Sequence, residues 1–260
     1  MNYLPVYTKI IPKYFPSMYY IEPLAGPGLC KVKETGDIII GSPVIASIFS
    51  YQEFNGYLLI ERDRKRAEVL KKRMELSARN VEVIAGECNE RMIELLEKIP
   101  GTGHYLAFID CEGLDVSWDV MEKLLQRQGD ILFTLQTGAF FRVKGKAEKN
   151  RKNEERLIRF FGGDEWRYCK SDEEIVGCYS DKLKKYRELV IPISIKGKGS
   201  FRYSLLFASR KTRAGSPWIK AVEYIKEKVE NCKYKYVLGI LDLLTGRGKD
   251  ITDYFPEREV

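Results

Sequence analysis

The chain has a single histidine, His104, and its six cysteines (Cys30, Cys88, Cys111, Cys169, Cys178 and Cys232) contain no C-x-x-C pair. Zinc sites need closely spaced Cys or His ligands, and disulfide frameworks need short cysteine-dense chains, so neither is indicated. Cys30, Cys88 and Cys111 each follow a strand end, but no fourth ligand accompanies them and no metal site is assigned. The opening residues 1–16 contain Lys9, Lys13 and three prolines, and so lack the unbroken apolar run of a signal peptide or membrane anchor. The expectation is a soluble, cytoplasmic protein with reduced, mostly buried thiols. Repeats, low-complexity tracts and linkers are also missing, which favours one domain over residues 1–260, with a helical extension over about 216–260.

Charge of one sign is scarce in the first half and abundant in the second. Residues 142–260 carry 28 Lys and Arg against 18 Asp and Glu, whereas residues 1–141 carry 16 against 19. The basic second half has two readings: a surface for a nucleic-acid backbone or acidic partner, or an ordinary solvated Lys/Glu face.

What is present is alternation. Apolar runs at 19–21, 57–60, 81–84, 105–109 and 131–135 are separated by helical patterns at 42–51, 63–76, 89–97 and 117–126. In the second helix Ala67, Leu70 and Met74 recur on one face, with charges opposite. Strands interleaved with amphipathic helices predict right-handed crossovers and an α/β, doubly wound (Rossmann-like), mostly parallel sheet. Further on, helical segments are expected at 147–161 and 172–186, then strands at 189–195 and 201–208. The last two are close enough to form an antiparallel edge hairpin across Lys196-Gly197-Lys198-Gly199. Ser216-Pro217 opens a late helix reaching Val229, and Leu238 to Leu244 follows.

The first strand runs into Glu22-Pro23-Leu24-Ala25-Gly26-Pro27-Gly28. A dinucleotide fingerprint requires a third glycine and an immediate helix whose N-terminus meets the pyrophosphate. Here the third position is Lys31, and a polar insertion to Gly41 separates the glycines from the helix start at Ser42-Pro43. An NAD-linked oxidoreductase is disfavoured on that ground. A ligand with a cationic centre and no phosphate fits better: Glu22 offers a carboxylate, and Gly26 and Gly28 permit close backbone approach. S-adenosylmethionine is such a ligand, although Gly26-Pro27-Gly28 also reads as an ordinary turn.

The other strand ends supply the acids this ligand needs. Glu61, closing the second strand, is placed to accept ribose hydroxyls, or else is a helix-start acid in competition with Asp63. Glu87, with Cys88 beside it, is placed for the adenine amino group, or is a loop acid. Asp110 ends the fourth strand at the switch point, where a carboxylate accepts a hydrogen bond or a proton from a target amine, with Glu112 as a second candidate. The alternative for Asp110 is a cap of the turn before Gly113, and Gln136 at the fifth strand end is equally ambiguous.

With those residues in view, the chain resembles the three-Cys-motif partner proteins, a family with a class I methyltransferase type of fold. The likeness is carried by Lys9-Ile10-Ile11-Pro12-Lys13-Tyr14, by Tyr20 through Gly28, by Gly41-Ser42-Pro43, by the strand ending at Glu61 and by Ala107 through Leu114. It extends through Phe161-Gly162-Gly163-Asp164-Glu165-Trp166 toward Phe207. Departures are Glu22 where the family has Asp, Leu24 where it has Phe, and Asp110-Cys111-Glu112-Gly113 where it has Asp-Pro-Phe-Gly. The resemblance implies adenosylmethionine binding and a radical-SAM-like iron–sulfur partner whose cluster is held by three cysteines. Amino methyltransferases for bases grip the flipped base with an aromatic after this acid. Glu112 cannot stack, which leaves Trp118, Phe140 or Phe141 as a π-face or as core. The leading expectation is an S-adenosylmethionine-dependent methyltransferase, with nucleic acid one candidate acceptor and the acceptor itself left open, and a non-catalytic assembly partner of the iron–sulfur protein is the alternative.

Overall fold

The computed structural model describes residues 3–32, 35–196, 202–211 and 218–231. Its strands are β1 (Met18–Glu22), β2 (Leu29–Lys31), β3 (Ile38–Ile40), β4 (Gly56–Glu61), β5 (Val81–Ala85), β6 (His104–Ile109), β7 (Gly129–Leu135), β8 (Leu189–Lys196) and β9 (Arg202–Ser209). Its helices are α1 (Tyr3–Ile10), α2 (Ser42–Ile48), α3 (Arg64–Met74), α4 (Cys88–Glu97), α5 (Trp118–Gln126), α6 (Thr137–Ala147), α7 (Arg151–Phe161), α8 (Asp172–Lys184) and α9 (Ile219–Glu230).

Seven strands form one sheet in the order β5-β4-β1-β6-β7-β9-β8, the first five parallel and the last two antiparallel. This is the doubly wound sheet of class I methyltransferase type, with its edge hairpin. The chain starts at the centre, winds out through β4 and β5, then returns to β6 on the other side of β1, so the strand order reverses between β1 and β6. A crevice opens at the carboxyl ends of strands at such a reversal.

Parallel strands covered on both faces read as nearly continuous apolar runs, and every residue of β4 is buried. Alternate side chains divide the core. Ile21, Leu58 and Ile60 join Met92, Leu95, Met121, Leu157 and Tyr179 on one face. Tyr20, Tyr57 and Leu59 join Leu4, Val44, Leu70 and Met74 on the other.

The amino edge of the sheet is tied by polar contacts. Tyr7 Oη and His104 Nδ1 share a hydrogen bond of 2.8 Å, and Tyr3 donates to Asp130 at 2.6 Å, pinning α1. The lone histidine is therefore a buried strut. Arg187, fully buried, donates to the carbonyls of Leu125, Arg127, Gly129 and Tyr186 and to Tyr105 Oη, and so gathers the end of α5 and the starts of β6 and β7.

Several elements differ from the sequence reading. Residues 137–147 are a helix, α6, because Ala139, Phe140 and Ala147 share a buried face despite Gly138 and Gly145. The expected helix 147–161 begins only at Arg151, where Asn150 caps it. The polar insertion contains an antiparallel hairpin, β2–β3. The turn at 197–199, the Ser216-Pro217 helix start and the Leu238 to Leu244 segment lie outside the described residues, as does most of the expected extension. No helix among the described residues is long and apolar enough to cross a membrane.

Candidate functional site

The turn after β1 crosses onto β4, where Ala25 N donates to Ile60 O at 2.9 Å. Gly26 (φ +62°) and Gly28 (φ +77°) both adopt the left-handed conformation that side chains resist, but they face different ways. A Cβ on Gly26 would meet nothing within 4 Å, so this glycine presents open backbone. One on Gly28 would lie 3.1 Å from Leu70 and 3.4 Å from Val44, so Gly28 is the point where the turn presses onto α2 and α3.

The insertion bears on one of the two grounds that disfavour a dinucleotide, the late helix. Gly41 N donates to Gly28 O at 2.9 Å, and a Cβ on Gly41 would come within 3.1 Å of the Gly28 backbone. The hairpin thus leaves and returns to one point, so α2 begins beside the glycine turn. The delay is in sequence and not in space, and the missing helix no longer argues against NAD.

That return delivers Ser42 to Glu22. Tyr20 Oη donates to one carboxylate oxygen of Glu22 at 2.7 Å, and Ser42 Oγ donates to the other. Glu22 is buried. Burial raises its pKa from 4.5 to about 8 against the lowering effect of the two hydroxyls, and the nearby charge of Asp110 adds to the rise. Each of its oxygens accepts a hydroxyl, so the carboxylate expected at this strand end is engaged within the fold.

Glu61 differs. Its Oε1 accepts from Asp63 N at 2.8 Å, and its Oε2 has no partner among the described residues. Asp63 caps α3 by accepting from Arg66 N at 2.9 Å, so the helix-start role belongs to Asp63. Across β5, Glu87 is exposed and 3.8 Å from Arg62. Cys88 turns into the core, where burial pushes its thiol up to about 11.

Beyond β6, Asp115 accepts from Gly113 N at 3.0 Å and from Arg156 at 3.2 Å. The turn is therefore held by Asp115, and Asp110 has no hydrogen bond or ion pair among the described residues. Asp110 and Glu112 line a cavity of about 440 Å³ together with Gln136, Arg142, Arg202 and Tyr203. Arg202 pairs with Asp172 at 3.3 Å, while Arg142 has no charged partner among the described residues. Burial, then the charge of Asp110, raises the pKa of Tyr203.

The aromatic on this cavity is Tyr203 and not one of the three candidates read from sequence. Trp118 is buried edge-on against Tyr179, Phe140 is fully buried, and Phe141 packs on Phe140. Tyr203 arrives because β9 runs antiparallel to β7: Ser204 pairs with Leu135, so the start of β9 meets the end of β7 at the carboxyl edge. A strand-like run at 201–208 and its antiparallel hairpin were visible; its pairing and register with β7 were the missing signal. Cys30 is exposed, whereas Cys88 and Cys111 are buried. No group of three metal-ligating side chains forms among the described residues.

No protein-family model and no curated protein matches the chain. Among solved structures, protein LPL1258 from Legionella pneumophila, assigned to family-model DUF519, aligns over 88% of this chain and 89% of its own, at 13% identity and TM-score 0.53. The two share a fold. An O-methyltransferase from Bacillus cereus in complex with SAH aligns over 80% of both chains at 12% identity and TM-score 0.46. Cofactor-bound Rv0187 from MTB covers 81% of this chain and 79% of its own, at 13% identity and TM-score 0.42. At these identities only the fold carries over, and it rests on the first alignment.

Proposed function

We propose that the chain is an S-adenosylmethionine-dependent methyltransferase that modifies an amino group on nucleic acid. The observation that carries this reading is the arrangement along one strand edge: an open glycine backbone at Gly26, a carboxylate at Glu61 with one oxygen engaged, and an Asp110 without a hydrogen bond or ion pair among the described residues, in a cavity beyond the switch point. The residues fit the cofactor. Glu61 Oε2 accepts from a ribose hydroxyl, Gly26 offers backbone without a side chain, and Glu87 is within the same edge for the adenine amino group. Gly28 and the buried Glu22 hold the turn in shape. Bound here, the cofactor supplies a sulfonium methyl group for in-line transfer to a nitrogen. Asp110 accepts a hydrogen bond from the acceptor amine and takes its proton, Glu112 is the second carboxylate within reach, and Tyr203 gives a base a flat face.

Two observations favour a second reading. Glu22 is consumed internally, and Asp110-Cys111-Glu112-Gly113 departs from the pattern of the family it resembles, consistent with a non-catalytic partner of a three-Cys-motif iron–sulfur protein that keeps the fold. Calorimetric titration with S-adenosylmethionine, followed by labelled-methyl transfer to RNA, DNA and protein extracts, separates the two. Glu61→Gln keeps the bond to Asp63 N but weakens a charged ribose contact, so affinity falls about 10- to 150-fold. Asp110→Asn abolishes transfer and leaves affinity within a few-fold. Binding of NAD(H) in place of S-adenosylmethionine overturns the proposal; cofactor binding without transfer to any extract leaves the second reading.

A further inference from the structure

We infer that the groove between the β2–β3 hairpin and α3 grips a single-stranded nucleic acid by its backbone. The groove encloses about 370 Å³. Its floor includes Ile38 and Val69, large apolar side chains that are 67% and 39% exposed. Its walls carry Lys31, Lys65, Arg66 and Arg73. Lys31, Lys65 and Arg66 form no ion pair among the described residues, and Arg73 donates only to Pro27 O, at 2.6 Å.

Local charge here runs against the average of this half of the chain. Six of the eleven residues of α3 are Lys or Arg, and its one acid, Glu68, is engaged by Arg64 at 3.4 Å. Ala67, Leu70 and Met74 are buried, which fixes the outward face: Lys65, Arg66, Val69 and Arg73 follow helical spacing along the groove. From Arg66 to Arg73 is roughly 10 Å of helix axis, enough to track a phosphate chain while the hairpin adds Lys31 from the other wall. Cations flanking an apolar floor suit a single strand, whose phosphates meet the cations while its exposed bases make apolar contact with Ile38 and Val69. A duplex presents its phosphates and leaves such a floor uncovered, and a run of acidic side chains such as polyglutamate has no flat apolar faces to offer. Composition offered the basic second half as a nucleic-acid surface or an ordinary solvated face; the charge placement within the fold favours the groove beside the glycine turn.

This inference rests on the nucleic-acid part of the proposed function and not on methyl transfer, so the test omits the cofactor. Fluorescence anisotropy measures binding of labelled oligouridine and oligothymidine to the full chain between 50 and 200 mM salt. Four phosphate contacts give a logarithmic salt slope near −2.8, a roughly 50-fold loss over that range. Lys65→Ala/Arg66→Ala removes two exposed cations without an ion pair among the described residues, so the slope falls to about −1.4 and the loss to roughly 7-fold, with thermal stability unchanged. A control pair in the second half, Lys146→Ala/Lys149→Ala, keeps the full slope. Equal affinity for both oligomers assigns the contact to the phosphodiester backbone, and preference for RNA adds the 2′-hydroxyl; both support the groove. Absence of binding, an unchanged slope in the groove variant, an equal loss in the control, or tighter binding of duplex or polyglutamate overturns it. Failure here leaves methyl transfer to another acceptor standing, and failure of cofactor binding leaves the groove standing.

Discussion

Glu22 makes the stability of the protein fall as pH rises. Its carboxyl is buried between Tyr20 and Ser42, and its pKa in the folded chain is about 8 against an ordinary 4.5. The folded state therefore holds the proton more tightly than the unfolded chain. Below about pH 4.5 both states are protonated and the contribution is fully present. Between 4.5 and 8 the unfolded chain releases its proton first, so stability drops by up to about 1.4 kcal/mol per pH unit; above 8 the loss is complete, at about 5 kcal/mol in order of magnitude. For a domain of ordinary stability that is a large share of the total. Glu22→Gln fixes the side chain in a neutral state, keeping an acceptor for one hydroxyl and turning a donor toward the other. Urea unfolding at pH 5, 7 and 9 reads the effect: the variant matches the wild type near pH 5 and exceeds it by several kcal/mol at pH 9, at equal m-value. Parallel curves for the two proteins across that range refute the reasoning.

The two glycines of the turn are distinguished by what lies over them. Gly26→Ala costs about 1–2 kcal/mol, from backbone strain alone, whereas Gly28→Ala costs more, because its methyl also presses on Leu70 and Val44; thermal unfolding of both variants checks the order. Arg187→Met leaves buried carbonyls of Leu125, Arg127 and Gly129 without their donor and costs about 3–5 kcal/mol, seen as a lower urea midpoint. Tyr203→Ala leaves the melting temperature within a few degrees and lowers methyl transfer, while Trp118→Ala, deep against Tyr179, destabilises by about 3–5 kcal/mol. Equal stability losses for that pair refute the placement of Tyr203 on the cavity.

The elements that carry the fold were legible because their signals are local. The apolar runs ending at Glu22, Glu61 and Asp110 needed only neighbouring residues to declare themselves strands, and Ala67, Leu70 and Met74 declared the buried face of α3 by spacing alone. The helix α6 escaped notice because Gly138 and Gly145 weaken its local preference, and its stability comes from burying Phe140 and Ala139 against the rest of the chain. Candidate site residues divided in the same way. Their position at strand ends could be read, but not which way each side chain is turned or what occupies it.

Strand alternation, the acids at the carboxyl edge and the glycine turn are thus properties of the sequence itself, set by periodicity and backbone preference over a few residues. Tertiary structure alone decided that Gly41 returns to Gly28 and restores the helix to the turn, that Ser42 then closes on Glu22, that the antiparallel β9 brings Tyr203 to Asp110, and that four cations share one groove. Each of these joins residues distant along the chain, and such pairings are fixed by the burial and hydrogen bonding of the whole sheet, which no short window of sequence contains.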